Sequence, residues 1–293
     1  MNPLFFNLES DQQLFQQLVS LCSGETGELE QRDFPDGESY LRVVTSCQGR
    51  NCVILCNLYQ PNSRILPLIF LADTLRELGA AKIILVSPYL AYMRQDKRFK
   101  DGECVTSRPF ASLLSSHIDH LITVDPHLHR YQSLDEIYSI SSTVVPAAPL
   151  IANWIKQEIT NPVLIGPDEE SEQWVAEVAR LADAPMQVLT KERRGDYDVS
   201  VSMPDLNGSS KQTPVLIDDI ISSGRTMIET LAQLRALNMT KAYCIGVHGI
   251  FAGESWYELQ AQAELVTSNT IPHPTNQINI AEALAVALKQ QWN

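Results

Sequence analysis

The sequence predicts an α/β protein with mainly parallel β-sheets flanked by helices. Two observations support this prediction: short apolar, β-branched runs recur along the chain, and segments with helical periodicity alternate with them. Because the pattern occurs in both halves of a 293-residue chain, we expect two domains. The predicted buried parallel strands are 51–58, 82–87, 120–125, 162–166, 214–218 and 242–247.

Two of the helical segments are clearly delimited. The first runs from a cap at Asn62 or Ser63 to Gly79, and the second, 227–234, follows the strand at 214–218. That strand therefore enters its helix through a short loop. In open parallel sheets, ligands bind at the carboxyl ends of the strands, so the polar residues after each strand are the candidates for a functional site.

A domain boundary is predicted near 144–149, where two prolines and small residues interrupt the periodicity. We therefore place the first domain at 1–145 and the second at 146–293. The sequence contains no Walker loop and no GxGxxG fingerprint, which argues against ordinary nucleoside-triphosphatase and dinucleotide-binding architectures.

Composition and charge exclude several classes of function. The formal charge of −13 would repel a nucleic-acid backbone. No run reaches the roughly 18 apolar residues of a membrane span, and the N-terminus lacks a basic signal-peptide start, so we expect a soluble, cytoplasmic protein without a membrane partner. Six cysteines without a CxxC pair indicate neither a disulfide scaffold nor a zinc ribbon.

Basic residues cluster at 94–100 and 191–194. Local cationic sites on an acidic protein suit small anionic substrates, although such runs taken alone are more often solvated surface.

The most informative segment is 215–226. An apolar strand leads into two carboxylates, Asp218 and Asp219, and then into a loop rich in hydroxyl groups that opens a helix. The backbone N–H groups and hydroxyls of such a loop bind phosphate, the helix dipole reinforces them, and the carboxylates can accept hydrogen bonds from a sugar diol. The loop residues are Ser222, Ser223, Gly224, Arg225 and Thr226.

This loop resembles the phosphoribosyl-diphosphate (PRPP) loop shared by type I phosphoribosyltransferases and ribose-phosphate diphosphokinases, the PRPP synthetases. Four further segments resemble the nucleotide and metal motifs of the diphosphokinases, in the family's order: 34–38, 92–96, 102–103 and 125–127. The segment 267–271 also resembles the family's final strand. The resemblance covers nearly the whole chain and implies two tandem type I phosphoribosyltransferase-like domains.

The resemblance also implies a reaction. The anomeric hydroxyl of ribose 5-phosphate would attack the β-phosphorus of Mg-ATP, giving PRPP and AMP. Lys191 and Arg193 match the family's basic catalytic loop and would stabilise the charge that develops on the transferred group. Without the resemblance, the same two residues would be interpreted as an exposed charged turn.

The remaining site residues follow from the resemblance in three sets. The ATP-binding set is Phe34, Asp36, Glu38, Arg94, Gln95 and Asp96. The set that binds ribose phosphate is Asp218, Asp219, Ser222, Ser223, Gly224, Arg225 and Thr226. The magnesium set is His127 and Asp168. Magnesium prefers oxygen ligands, so His127 would act directly, through a bound water, or on a phosphate. In the family, the segment 34–38 reaches the nucleotide of a neighbouring subunit, which implies a homo-oligomer with shared active sites.

Three departures from the family's pattern keep alternatives open. Glu169 and Glu170 follow Asp168 where the family has small residues, Arg225 stands where it usually has Gly, and Pro126 stands where it commonly has Leu. The alternatives are a non-catalytic regulatory paralogue, an enzyme acting on another sugar phosphate, and a phosphoribosyltransferase. The basic pair at 191 and 193 counts against the first, and the nucleotide motifs count against the last.

Overall fold

Each half of the chain contributes its own parallel β-sheet with helices on both faces. The computed structural model describes residues 2–8, 10–128, 130–167, 171–189, 191–193, 199–201, 212–237, 239 and 241–292. Unit 1 comprises Met1–Val145 and Ala281–Asn293, and unit 2 comprises Pro146–Ile280.

The sheet of unit 1 has six parallel strands in the order β2-β1-β5-β6-β7-β8, and β3 and β4 form a separate antiparallel hairpin. The strands are β1 Leu4–Asn7, β2 Glu25–Thr26, β3 Leu29–Asp33, β4 Ser39–Val43, β5 Asn51–Leu55, β6 Lys82–Ser87, β7 His120–Val124 and β8 Ser141–Val145. The helices are α1 Gln12–Leu21, α2 Ile65–Glu77, α3 Ser107–Ser115 and α8 Ala281–Lys289, with 3-10 turns at Pro61–Ser63 and Leu134–Glu136.

Alternate strand residues of unit 1 face opposite sides of its sheet. Ile54 of β5 and Leu85 of β6 belong to the apolar cluster that also contains the buried faces of α2 and α3. Their neighbours Val53 and Ile84 are also fully buried and therefore face the other side. Helix α8 contacts α1, β7 and β8 and thereby covers part of that second face.

The position of α8 differs from the sequence prediction, which assigned 146–293 to one domain. The structure groups Ala281–Asn293 with unit 1. The Ala285 carbonyl accepts a hydrogen bond from the Cys22 thiol at 4.0 Å, and Lys82 Nζ donates to Gln291 Oε1 at 3.2 Å. The apolar face of a helix packs against a sheet face that is otherwise uncovered. Helical periodicity predicts this apolar face, but it does not identify which of the two sheets the helix packs against.

The sheet of unit 2 also has six parallel strands, in the order β10-β9-β13-β14-β15-β16, and β11 and β12 form an antiparallel pair. The strands are β9 Pro162–Gly166, β10 Met186–Val188, β11 Lys191–Arg193, β12 Val199–Val201, β13 Thr213–Ile221, β14 Tyr243–Gly249, β15 Glu264–Ser268 and β16 Asn276–Ile278. The helices are α4 Ala148–Glu158, α5 Glu172–Ala182, α6 Arg225–Ala236 and α7 Ser255–Gln260.

The predicted α/β class is confirmed, and each of the six predicted strands is present. Two details differ. Strand β13 continues past the predicted end at Asp218 to Ile221, so Asp219 also lies within the strand rather than after it. The segment 267–271 is not the last strand, because β15 ends at Ser268 and β16 follows it at the sheet edge.

The six cysteines are free thiols, five of them buried and one, Cys104, exposed. Across the part of the chain described above, no helix combines the length and the apolar character needed to cross a membrane.

Candidate functional site

The predicted phosphate loop connects β13 to α6. Gly224 is the N-cap of α6 and has a φ of +64°, a left-handed conformation that glycine adopts without strain. A Cβ atom at this position would lie 2.7 Å from Leu259 Cδ1. The left-handed conformation therefore favours glycine, and a side chain at this position would also have to displace Leu259. Helix α6 begins at Arg225, so the loop lies at the positive end of the helix dipole, which favours an anion.

The four other loop residues differ in exposure. Ser223 and Arg225 are exposed, whereas Ser222 and Thr226 are half-buried. Hydroxyl donors and a cationic side chain are thus gathered within five residues at the start of one helix. This combination suits a phosphoryl group.

Asp218 and Asp219 precede the loop in the last part of β13. Both are half-buried, and they lie between the buried residues Ile217 and Ile220. The Asp219 N–H donates to Asp218 Oδ1 at 3.0 Å, which fixes the first carboxylate against the backbone. Carboxylate oxygens at this depth can accept hydrogen bonds from the hydroxyls of a sugar.

In unit 1, the predicted nucleotide segment lies in the connection between β6 and α3. Arg94 is exposed, and the Gln95 side chain accepts a hydrogen bond from Thr106 Oγ1 at 3.2 Å. The Asp96 carboxylate is buried and accepts two hydrogen bonds from Arg130 Nη1, at 3.0 and 3.1 Å. The Asp96 side chain therefore has a structural ion-pair partner within unit 1.

Sequence reasoning missed Arg130 and the neighbouring Tyr131. The Tyr131 hydroxyl donates to the Asp96 carbonyl at 3.3 Å and shares a hydrogen bond of 3.0 Å with Ser107 Oγ. These contacts connect the segment after β7 to the segment that carries Gln95. Only their position in the sequence could have indicated these two residues, because both follow closely after the predicted 125–127 motif.

The hairpin of β3 and β4 presents the other predicted nucleotide residues at its tip. Phe34, Asp36 and Glu38 are all exposed. The Phe34 N–H donates to the Glu38 carbonyl at 2.7 Å, and Gly37 turns the chain with a φ of +88°. The Arg32 guanidinium lies 4.5 Å from the centroid of the Phe34 ring. An aromatic ring and two carboxylates thus share one ordered, solvent-facing turn.

His127 follows the carboxyl end of β7. Asp125 begins this connection with a φ of +31°, and its N–H donates to the Val145 carbonyl at 3.2 Å. Asp125 and His127 are half-buried, and Pro126 between them is buried. Proline fixes its own φ and removes a backbone donor here, which limits how this connection can bind a phosphate.

Among the described residues, the donors that magnesium could use are not grouped into a cluster. Within the ranges given above, no three His, Cys, Asp or Glu side chains are grouped so as to hold a metal ion. Asp168, the second predicted metal residue, lies outside the described residues, as do Glu169 and Glu170. Magnesium retains several waters and is commonly bound through one or two protein groups and substrate phosphates. An ion held by few protein groups and by substrate phosphates is compatible with these described residues.

The predicted catalytic pair lies in a short strand rather than a loop. Lys191 and Arg193 are the first and last residues of β11, and their backbones pair with Val201 and Val199 of β12. The side chains of both residues lie outside the described part of the structure.

Comparison with known families identifies two domains in the chain. A family model for the N-terminal domain of ribose phosphate pyrophosphokinase matches residues 4–117. A second model, for the phosphoribosyl transferase domain, matches residues 133–282.

Individual proteins match over most of their length. A ribose-phosphate pyrophosphokinase from Sulfolobus acidocaldarius is 31% identical over 275 residues, which cover 91% of this chain and 92% of that protein. The corresponding enzyme of Pyrococcus abyssi is 32% identical over 257 residues, covering 87% and 88%. The crystal structure of phosphoribosylpyrophosphate synthetase from Mycobacterium smegmatis has the same fold, with a TM-score of 0.87, 22% identity and coverage of 100% and 99%. The chain therefore belongs to the ribose-phosphate pyrophosphokinase family.

Proposed function

We propose that this protein transfers the diphosphoryl group of Mg-ATP to the anomeric hydroxyl of ribose 5-phosphate. The hydroxyl oxygen bonds to the β-phosphorus, the bond from that phosphorus to the bridging oxygen of the α-phosphate breaks, and AMP leaves with the oxygen and its electron pair. The hydroxyl proton passes to solvent. The observation that carries this proposal is the phosphate loop 222–226, which begins three residues after the second of two half-buried carboxylates, in a chain of this family.

The ribose 5-phosphate site is proposed at the end of β13. The loop hydroxyls, its backbone N–H groups and Arg225 would bind the 5-phosphate, because each offers a hydrogen-bond donor near the start of α6. Asp218 and Asp219 would accept hydrogen bonds from the ribose hydroxyls. A sugar held by both ends is restrained in position and orientation, and this lowers the entropic cost of reaching the transition state.

The ATP site is proposed on unit 1. The exposed Arg94 suits phosphate oxygens and Gln95 suits the polar edge of a base, while the ion pair of Asp96 fixes the backbone that carries them. The exposed hairpin residues Phe34, Asp36 and Glu38 would contact the ATP of a neighbouring subunit. This part of the proposal requires a homo-oligomer.

The charge on the transferred group is the main barrier that this site has to overcome. Lys191 and Arg193 are proposed to stabilise it. When bound to the ATP phosphates, magnesium neutralises part of their charge. His127 and Asp168 are proposed to hold the ion or its waters. Six free thiols fit a reducing compartment, and we infer a cytoplasmic location.

The test is direct formation of AMP and PRPP by the purified protein with ribose 5-phosphate, ATP and magnesium chloride. Reactions that omit one component at a time serve as controls. We expect equimolar AMP and PRPP only in the complete mixture. Binding of ATP without turnover would instead identify a non-catalytic relative. Diphosphate release from PRPP with one of a panel of nucleobases would identify a phosphoribosyltransferase.

A further inference from the structure

Two successive carbonyl groups at the start of the phosphate loop are each held by two donors from the segment that follows β14. The Ile221 carbonyl accepts hydrogen bonds from the backbone N–H groups of Ile250, at 2.9 Å, and Phe251, at 3.0 Å. The Ser222 carbonyl accepts one from the Ala252 N–H at 3.0 Å and one from Ser255 Oγ at 3.0 Å. We call residues 250–255 the clamp segment.

These bonds fix the direction of two peptide planes. Both peptides are trans, and in a trans peptide the C=O and N–H groups point in opposite directions. Because the carbonyls of Ile221 and Ser222 point at the clamp segment, the N–H groups of Ser222 and Ser223 point away from it. A backbone donor with a fixed direction needs little reorganisation when an anion binds.

The side chain that completes the clamp is buried. Ser255 is 5% exposed and is the first residue of α7. On the same helix, Leu259 is fully buried and would clash with any side chain at Gly224. Helix α7 therefore supports the phosphate loop twice, through a hydrogen bond at Ser222 and through packing at Gly224.

We propose that Ser255 is a positioning residue for the phosphate loop. Its hydroxyl holds the Ser222 carbonyl, so that the Ser223 N–H remains aimed at the phosphoryl group of the sugar phosphate. The inference rests on the function proposed above, because the ligand is the ribose 5-phosphate of that site. Ser255 acts through the loop backbone and does not contact the ligand.

Three variants test the inference. Ser255→Ala removes one donor and little volume, and Ser255→Thr restores a hydroxyl. Thr213→Val is the matched control: Thr213 Oγ1 also donates to a backbone carbonyl, that of Thr160, at 3.0 Å, but at the opposite end of β13. Two quantities are measured in each variant, the Kd for ribose 5-phosphate by calorimetry and the hydrogen–deuterium exchange of the loop peptide 221–226 without ligand.

For Ser255→Ala we expect a Kd raised about three- to tenfold, the range expected for one net hydrogen bond, together with faster exchange of the loop amides. For Ser255→Thr, the Kd and the exchange rate should lie closer to the wild-type values. For Thr213→Val, both should equal the wild-type values. Unchanged Kd and exchange in Ser255→Ala would overturn the inference, as would an equal effect of Thr213→Val. If the wild-type protein did not bind ribose 5-phosphate, the proposed function would fail, and loop exchange would still decide the positioning role.

Discussion

Arg130 Nη1 lies 3.0 and 3.1 Å from the two carboxylate oxygens of Asp96, a side chain that is 1% exposed. A carboxylate at this depth is costly unless a cation and hydrogen bonds compensate for the lost water. Arg130 provides both from the connection after β7. The pair therefore ties two of the connections at the carboxyl end of one sheet to each other.

Replacing Arg130 by Ala should leave the Asp96 charge buried without its cation. Because the Arg130 side chain is 34% exposed, we expect a loss of about 2 kcal/mol in the free energy of unfolding, below the range for fully buried pairs. Urea denaturation measures this loss. The double variant Asp96→Asn, Arg130→Ala should be less destabilised, because it leaves no buried charge.

The matched control is Arg42→Ala, which breaks an exposed pair with Glu30 and should cost less than about 1 kcal/mol. Equal losses in Arg130→Ala and Arg42→Ala would contradict the assignment.

Gly224→Ala should weaken ribose 5-phosphate binding at least about tenfold. A left-handed φ costs an alanine about 1 kcal/mol, and the contact of its Cβ with Leu259 adds to this. The KM for ribose 5-phosphate measures the effect. Gly49→Ala is the control, because Gly49 has a similar φ of +68° and no heavy atom within 4 Å of the added Cβ. An unchanged KM in Gly224→Ala would show that the loop tolerates a side chain.

Asp219→Asn should raise the KM for ribose 5-phosphate about tenfold and leave the KM for ATP unchanged. The amide keeps the size of the side chain but loses the charge that strengthens its hydrogen bonds to hydroxyls. Steady-state kinetics with each substrate varied in turn measures both constants. Asp183→Asn, an exposed position in the same unit, should match wild type. A rise in the KM for ATP alone would show that Asp219 does not belong to the set that binds ribose phosphate.

Lys191→Ala and Arg193→Ala should each lower kcat about a hundredfold or more, with much smaller changes in KM. A cation that stabilises developing charge contributes more in the transition state than in the ground state. Single-turnover and steady-state rates measure the change. Arg180→Ala removes an exposed cation from α5 and should have no effect. Full turnover in Lys191→Ala would refute the proposed catalytic pair.

His120 should make the stability of unit 1 depend on pH. Burial, with a further contribution from the Lys82 charge, lowers the pKa of His120 to about 4, and its ring nitrogens contact Ser141 Oγ at 2.6 Å and Thr143 Oγ1 at 3.0 Å. The folded state favours the neutral ring, whereas the unfolded chain binds a proton near pH 6.5. Stability is therefore complete above pH 6.5 and falls towards pH 4, by about 2–3 kcal/mol.

The measurement is urea denaturation of wild type and His120→Gln between pH 8 and pH 4.5. The difference in free energy of unfolding between the two proteins should change below pH 6.5, because glutamine does not titrate. A difference that stays constant over this range would rule out His120 as the group responsible.

Much of the fold could be predicted from the sequence because the strands are buried on both faces. Such strands appear as short continuous apolar runs, and β6 has the predicted bounds. The unit against which α8 packs could not be predicted, since an apolar stripe on a helix is compatible with either sheet. The length of β13 was underestimated because two adjacent carboxylates are unusual within a strand.

For the candidate site, the phosphate loop was identifiable because its chemistry is local: hydroxyls, glycine and a helix start lie within a few residues. The ion pair of Asp96 with Arg130 joins residues 34 positions apart, and no sequence periodicity indicates such a contact. Ser255 was missed for the same reason, as its partner Ser222 lies 33 residues away.

The return of α8 to unit 1 has a consequence for biosynthesis. All strands of the first sheet leave the ribosome before unit 2, but the helix that covers the β7 and β8 part of one face is made after unit 2. Until then, that part of the nascent sheet retains exposed apolar side chains, a condition that favours aggregation and chaperone binding. We therefore expect unit 2 to reach its native state first during translation, although it lies later in the sequence.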